Sequence, residues 1–354
     1  MNEVLEQFRD RIRSAAAGGL PLRIRGGGSK DWYGEEAQGE LLDTRAWTGI
    51  VAYEPTELVI TARSGTPLSE IEKALEEQGQ MLAFEPPHFG GAPTLGGMLA
   101  AGLSGPRRQA AGSVRDFVLG TVLMNASGNE LHFGGQVMKN VAGYDVSRLL
   151  AGSLGTLGLI LQASIKVLPK PVAELTLGLD LPQEQALRCL NEWGGQALPI
   201  SASAWEGGRL TVRLSGAAAA VRSARVALGG ELLDDADLFW RALRDHELPF
   251  FSTSRERGLW RLSLPSVAPA LDYAGPQLIE WGGALRWIGG DADAAWIRSE
   301  ALRLGGHATL FRRAQHSTAR FQSLAPAVAA LHQRLKHSFD PSGIFNPGRL
   351  YKDF

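Results

Sequence analysis

Three glycine-rich stretches in the first half of the chain constrain its fold more than any other feature. They are RIRGGGSKDWYG (23–34), GGAPTLGGMLAAGLSG (90–105) and AGSLGTLG (151–158). Glycine loses more backbone entropy on folding than any other residue, so such runs are kept where something must come close to the main chain. Consecutive N–H groups in a glycine turn cradle phosphate, and hydrogen bonds to a charged group, about 1.5–3 kcal/mol each, would outweigh that entropy. Two nucleotide patterns fail on context. A P-loop needs G-x-x-x-x-G-K-[ST] opening a helix, whereas Gly28-Ser29-Lys30 leads into DWYGEEAQGE, a poor helix. The dinucleotide fingerprint G-x-G-x-x-G also opens a helix, but Asp31 stands at its third glycine. Gly152, Gly155 and Gly158 lead into a strand instead. Any one loop reads equally as a tight turn; three together point to one shared ligand with a long, phosphate-containing body.

At 354 residues the chain is too long for one ordinary core, so two domains or three lobes are expected. Its composition, 44% hydrophobic and 21% charged, is that of a folded protein. A net charge of −1 gives no sequence-wide case for nucleic acid or an anionic membrane. The start, MNEVLEQFRD, is amphipathic and carries acids, unlike a signal peptide. No apolar stretch reaches the ~18 residues of a membrane span. The expected location is cytoplasmic. Cys189 is the only cysteine, so this chain alone cannot close a disulfide or hold an iron–sulfur cluster, which needs about four thiolates. The seven histidines are scattered, and His332 and His337 lie five apart, off a shared helical face. No metal site is expected.

Residues 3–17 read as an amphipathic helix ended by Gly18-Gly19, followed by short strands near 22–25, 40–44, 50–53 and 57–62. SGTPLSEIEKALEEQGQ predicts a helix capped by Thr66, with Pro67 in its first turn and a stripe of Leu68, Ile71 and Leu75. VLGTVLMNASGNELHF predicts a hairpin turned at Ser127-Gly128-Asn129. Then Leu161, Ala163, Ile165 and Val167 alternate with Gln162, Ser164 and Lys166. Pro169 and Pro171 mark a boundary. Beyond it the chain is alanine- and tryptophan-rich, and LTLGLDL, PQEQALRCLNEW, ISASAWE, RLTVRLSG and AAAAVRSARVALGG give the strand–helix–strand–strand–helix rhythm of a ferredoxin-like unit. The expected domains are 1–171, 172–325 and a C-terminal helix and strap, 326–354.

RGGGSKDWYG, PPHFGGAPTLGGMLAAGLSGPRR, GSVRDFVLG, GGQVMKNVAGYDVSRLLAGSLGTLGLI and FDPSGIFNPGRL occur in this order. In them the chain resembles the vanillyl-alcohol oxidase-type (PCMH-type) FAD-binding family, and within it the FAD-binding subunits of bacterial glycolate oxidase (glycolate dehydrogenase) complexes. The likeness is strong over 20–170 and the last fifteen residues, and faint over 172–325. It implies an α+β fold: a two-subdomain FAD-binding domain, a ferredoxin-like cap and a C-terminal strap. By position, Arg25, Gly26, Gly27, Gly28 and Ser29 would wrap the FAD pyrophosphate. Thr94, Gly96 and Gly97 would approach the flavin, and Gly152, Ser153, Gly155, Thr156 and Ile160 the adenine and ribose. Asn346 to Gly348 would return the C-terminus to the flavin ring.

Departures from the family pattern carry further expectations. Relatives with a covalent flavin have His where Ser29 stands, so the FAD would be non-covalent. Related 2-hydroxy-acid dehydrogenases have an acidic residue at the position of Leu154 and an H-x-G-D-G-N-x-H metal segment, where this chain has only GGHATLF (305–311). The resemblance implies oxidation of a small 2-hydroxy acid together with a larger FAD-containing catalytic subunit and an iron–sulfur subunit, with any membrane association only peripheral and through those partners. Two alternatives stand beside it: an assembly subunit whose FAD is chemically idle, and a stand-alone FAD-dependent alcohol or sugar oxidase. His88, in EPPHFGG, is a weak candidate base, against the commoner role of a structural hydrogen-bonder. Lys139 could stabilise a reduced flavin; Asp145 reads as a helix cap. Arg107-Arg108 and Arg312-Arg313 could bind a carboxylate, though paired arginines are more often exposed.

Overall fold

The computed structural model describes residues 2–135, 145–254, 257–312 and 318–354. The chain forms two compact units. The first comprises 1–103, 113–169 and 323–354, and the second 104–112 and 170–322. Residues 104–112, expected within the first domain, therefore pack with the second.

In the first unit, α1 (Asn2–Gly18) buries Phe8, Ile12 and Ala15, spaced to one helical face. They form a core with Leu22, Leu42, Met124, Leu159 and Leu161, closed by Ile344 and Phe345 from the C-terminus. β1 (Leu22–Arg25) and β2 (Glu40–Asp43) pair in parallel. β3 (Ile50–Glu54) and β4 (Val59–Arg63) form a hairpin that leads to α2 (Leu68–Glu76). The expected stripe of Leu68, Ile71 and Leu75 is buried, but Thr66 does not cap the helix. Pro67 occupies the cap position, and the Thr66 hydroxyl bonds both the N–H and the carbonyl of Gly49.

The remaining elements of this unit before the C-terminal helix follow in chain order. They are β5 (Gln80–Met81), α3 (Leu95–Ala101), then, past α4 (Arg108–Ala111) of the second unit, α5 (Val114–Phe117), β6 (Val118–Met124), β7 (Glu130–Gly134), α6 (Val146–Leu149), β8 (Leu159–Lys166) and β9 (Leu168–Pro169). The antiparallel sheet runs β3-β4-β8-β6-β7. Asn125 builds the predicted hairpin turn, its side-chain oxygen accepting from the N–H groups of Ser127 and Asn129.

The second unit is built on one eight-stranded sheet, β13-β10-β12-β11-β15-β16-β14-β17. Its first half is β10 (Ala173–Asp180), α7 (Gln183–Gly194), β11 (Ile200–Glu206), β12 (Arg209–Gly216), α8 (Ala218–Leu228) and β13 (Glu231–Leu232). Fourth, first, third, second is the spatial order of its strands, as the ferredoxin-like rhythm predicts. After α9 (Ala236–Asp245) and α10 (Pro249–Ser254) come β14 (Leu259–Ser263), β15 (Gln277–Glu280), β16 (Leu285–Gly289), α11 (Ala294–Arg303) and β17 (His307–Arg312). These strands repeat the same order in mirror sense, and the halves join where β11 pairs with β15. The second half lacks the helix between its first two strands. The loop there supplies Ala268 and Leu271 to a core with Ile297 and Ala301 of α11. A separate core forms under α7 and α8. The register puts both cores on one face of the sheet and leaves Glu174, Arg213, Glu280, Arg261 and Thr309 on the other.

The chain closes with α12 (Pro326–Phe339) and a strap that returns to β1, where Leu22 bridges Phe345. No helix among the described residues is long and apolar enough to cross a membrane.

Candidate cofactor site

The loop after β1 lies against the segment before α3. A Cβ on Gly26 would stand 2.3 Å from the Thr94 hydroxyl, and one on Gly27 only 1.6 Å from the Ala92 carbonyl oxygen. On this side the close neighbour that requires glycine is the protein's own backbone. The N–H groups tell a different story. Among the described residues, nothing accepts a hydrogen bond from the N–H of Gly26, Gly27, Gly28 or Ser29. All four residues line a cleft of about 220 Å³. A second, smaller cleft of about 60 Å³ adjoins it, sharing Ile24, Gly26, Gly97, Ala100, Leu154 and Asn346 as common walls.

Among the described residues, two buried polar atoms at these clefts have no hydrogen-bond partner: Nε of Arg23 at the larger and Oγ of Ser64 at the smaller. Buried polar groups are satisfied in folded proteins, so these atoms mark where a polar ligand fits. The larger cleft carries Arg23, Arg25, Lys30 and Arg349 against Asp31 and Glu36. Burial lowers the pKa of the Arg349 guanidinium; Asp31 works in the opposite direction, and Arg23 adds to the lowering. A positive rim around a row of free N–H groups suits a diphosphate. The smaller cleft, with the Thr44 and Ser64 hydroxyls beside Leu159 and Ile160, suits a flat ring bearing polar edges.

Of the residues expected to bind, Arg25, Gly26, Gly27, Gly28, Ser29, Thr94, Gly97 and Asn346 line the larger cleft. Gly96, Gly155 and Ile160 line the smaller. Gly152, Ser153, Thr156 and Gly348 line neither. The Gly152 N–H donates to Leu99, the Thr156 hydroxyl donates to the Ser153 carbonyl at 2.7 Å, and the Gly348 N–H donates to Phe354. These four shape the loops behind the clefts. His88 also lines neither cleft, and its Nε2 lies 3.0 Å from Oε1 of Glu72. Asp145 caps α6 through the Arg148 N–H, while Lys139 and Arg313 fall outside the described residues. Arg107 is buried rather than exposed and pairs with Glu174 at 2.9 Å. Arg108 lies 4.2 Å over the Trp281 ring.

Sequence reasoning missed Arg23, Ser64 and Arg349. Arg23 reads as the outward residue of an alternating strand, and Ser64 belongs to a stretch read only as the approach to a helix. Arg349 had a signal in the strap NPGRL, where it donates to the carbonyls of Asp31 and Glu35. Among the described residues no group of three or more His, Cys, Asp or Glu is placed to hold a metal.

Fold and clefts define a class, the PCMH-type FAD-binding proteins, and residues 3–134 match the sequence profile described as "FAD binding domain". FAD is the cofactor, and the chain is a component of an FAD-dependent oxidoreductase. The chain belongs to the family of the glycolate oxidase subunit GlcE of Escherichia coli (strain K12), with 49% identity over 344 residues that cover 97% of this chain and 96% of that one. About half of the chain is also similar to a D-lactate dehydrogenase of Archaeoglobus fulgidus, 32% identical over 51% of this chain and 41% of that one. A shorter stretch is similar to the glycolate oxidase subunit GlcD of Bacillus subtilis (strain 168), 35% identical over 36% of this chain and 27% of that one. Among solved structures, an alkyldihydroxyacetonephosphate synthase superposes with a TM-score of 0.66 at 16% identity, covering 97% of this chain and 75% of that one. That likeness shows the fold.

Proposed function

We propose that this chain is the smaller, FAD-binding subunit of a complex that oxidises glycolate or a similar 2-hydroxy acid, and that electrons leave its flavin for an iron–sulfur subunit. The observation that carries the cofactor side is the row of four unpartnered N–H groups on a positive cleft. The substrate class rests on the full-length relation to the glycolate oxidase subunit GlcE. The amides of Gly26 to Ser29 with Arg23 would hold the diphosphate, and Thr94 and Gly97 of the larger cleft would border the flavin, while Gly96 lies in the smaller cleft beside Gly155 and Ile160. Gly155 and Ile160 would meet the adenosine half, with Asn346 closing the cleft. Bound FAD supplies a two-electron acceptor that can release electrons singly. Ser29 offers no imidazole for a covalent link, and its hydroxyl instead accepts from Lys30 Nζ at 3.2 Å; the flavin is therefore held without a bond. With Cys189 the only cysteine in the sequence, the next electron carrier is another chain.

Acid precipitation of the purified yellow protein is expected to release FAD into the supernatant; colour left in the pellet would defeat the non-covalent reading. Mixed anaerobically with excess glycolate, the isolated chain is expected to keep its flavin oxidised. The complex reconstituted with the larger flavoprotein and the iron–sulfur subunit is expected to bleach it. Oxidation of a hydroxy acid asks for a base that takes the hydroxyl proton, and His88 is engaged with Glu72 outside both clefts. The same observation favours a second reading, an assembly subunit with idle FAD. A flavin that stays oxidised in the reconstituted, turning-over complex would select it.

A further inference from the structure

Behind the clefts lies a buried ion pair with no assigned role. Lys336 is on the last turn of α12, and Asp340 directly follows that helix. The Lys336 ammonium donates to Oδ2 of Asp340 at 2.7 Å, to the Thr156 carbonyl at 2.7 Å and to the Phe345 carbonyl at 2.8 Å. All three of its donors are used. The Asp340 carboxylate in turn accepts from the N–H groups of Ile344 and Phe345. One residue further, Asn346 accepts from the Ile24 N–H at 2.8 Å and donates to the Leu154 carbonyl at 2.6 Å. The glycine loop is thus gripped twice, at Leu154 by Asn346 and at Thr156 by Lys336. Both Leu154 and Asn346 hold positive φ, +50° and +41°; asparagine adopts it readily, but at Leu154 the conformation persists only where the surroundings enforce it.

We propose that Lys336 and Asp340 are positioning residues for the cofactor cleft: their pair sets the strap and the glycine loop in the one geometry that lets Leu154, Gly155 and Asn346 line it. Neither residue borders either cleft. FAD affinity nevertheless depends on both, through Asn346. This rests on the reading that the clefts take FAD.

The test is a double-mutant cycle on the full chain, stripped of flavin and titrated with FAD by fluorescence quenching. Lys336→Met and Asn346→Ala are each expected to weaken binding about tenfold or more. The double variant is expected to lose no more than about threefold beyond the weaker single, because coupled residues are non-additive. Breaking a buried pair also destabilises the fold, so Leu75→Ala, in the α2 core, serves as a control of comparable melting temperature and should keep near-native affinity. Without FAD, amide exchange at 154–156 and at 344–346 should quicken together in Lys336→Met. Native affinity in Lys336→Met, an equal loss in Leu75→Ala, or losses that multiply in the double variant would overturn the inference alone. A native chain that takes up no FAD would overturn the cleft reading, and the inference with it.

Discussion

A methyl group is enough to separate the two jobs of the glycines around the clefts. At Gly27 it would strike the Ala92 carbonyl, so Gly27→Ala should lose FAD uptake as fully as Gly27→Asp, with no charge involved. Both variants should also lower the melting temperature of the flavin-free protein. At Gly97, inside α3, a Cβ would meet only the Thr94 hydroxyl, at 3.3 Å. Alanine there gains about 0.4–1 kcal/mol from the less flexible unfolded chain, yet its methyl borders both clefts. The tight approach to the Thr94 hydroxyl, which caps α3 by accepting from the Gly97 N–H, offsets that gain, so Gly97→Ala should melt close to native without FAD and bind FAD more weakly, which thermal shifts with and without the cofactor will show. Glycines are legible in sequence because few other reasons keep them in runs. Of the charged residues at the larger cleft, Arg25 was expected from the sequence, whereas Arg23 and Arg349 were not. Arg23 and Lys336 look like solvent-facing cations, and only the surrounding loops reveal that both are turned to buried acceptors or to a cleft.

Among the elements, the first half of the large sheet was legible because its helices and strands alternate cleanly. Its mirror half was not, because a loop through Ala268 and Leu271 does the packing that a helix does in the first half. Amphipathic periodicity cannot register a helix that is missing. The polar face of the first half yields a pH prediction. Burial would raise the pKa of the Glu174 carboxyl, but Arg107, the Ser215 hydroxyl and Arg213 outweigh it and hold the group below its ordinary 4.5. A lowered carboxylate pKa stabilises the folded state above the unfolded value, and that contribution fades as the pH falls through the folded one. Glu174→Gln should thus melt lower than the native protein near neutral pH. Its further loss on acidification below about pH 4.5 should be shallower. Parallel slopes in a melting series across that range would refute the assignment.

For the whole molecule, the division into units was the least legible feature, since composition changes once, at Pro169 and Pro171, whereas the chain passes between units after Leu103, Gly112, Pro169 and Gln322. The short excursion is tied into the second unit. Gly105 accepts from the Trp281 indole, Arg107 pairs with Glu174, and Gln109 accepts from the Ser203 hydroxyl. A fragment of residues 170–322 should accordingly be less stable than the same unit in the full chain, leaving Glu174 and the Trp281 N–H without these partners. Its urea midpoint, read from tryptophan fluorescence, is expected to fall well below that of the intact protein; an equal midpoint would show the excursion to be dispensable. The excursion also bears on descent. Trading residues 170–322 alone for a relative's would set the donor's sheet against the recipient's 104–112, so selection that keeps Arg107, Gln109 and Gly105 matched to their partners would favour inheriting the two stretches together.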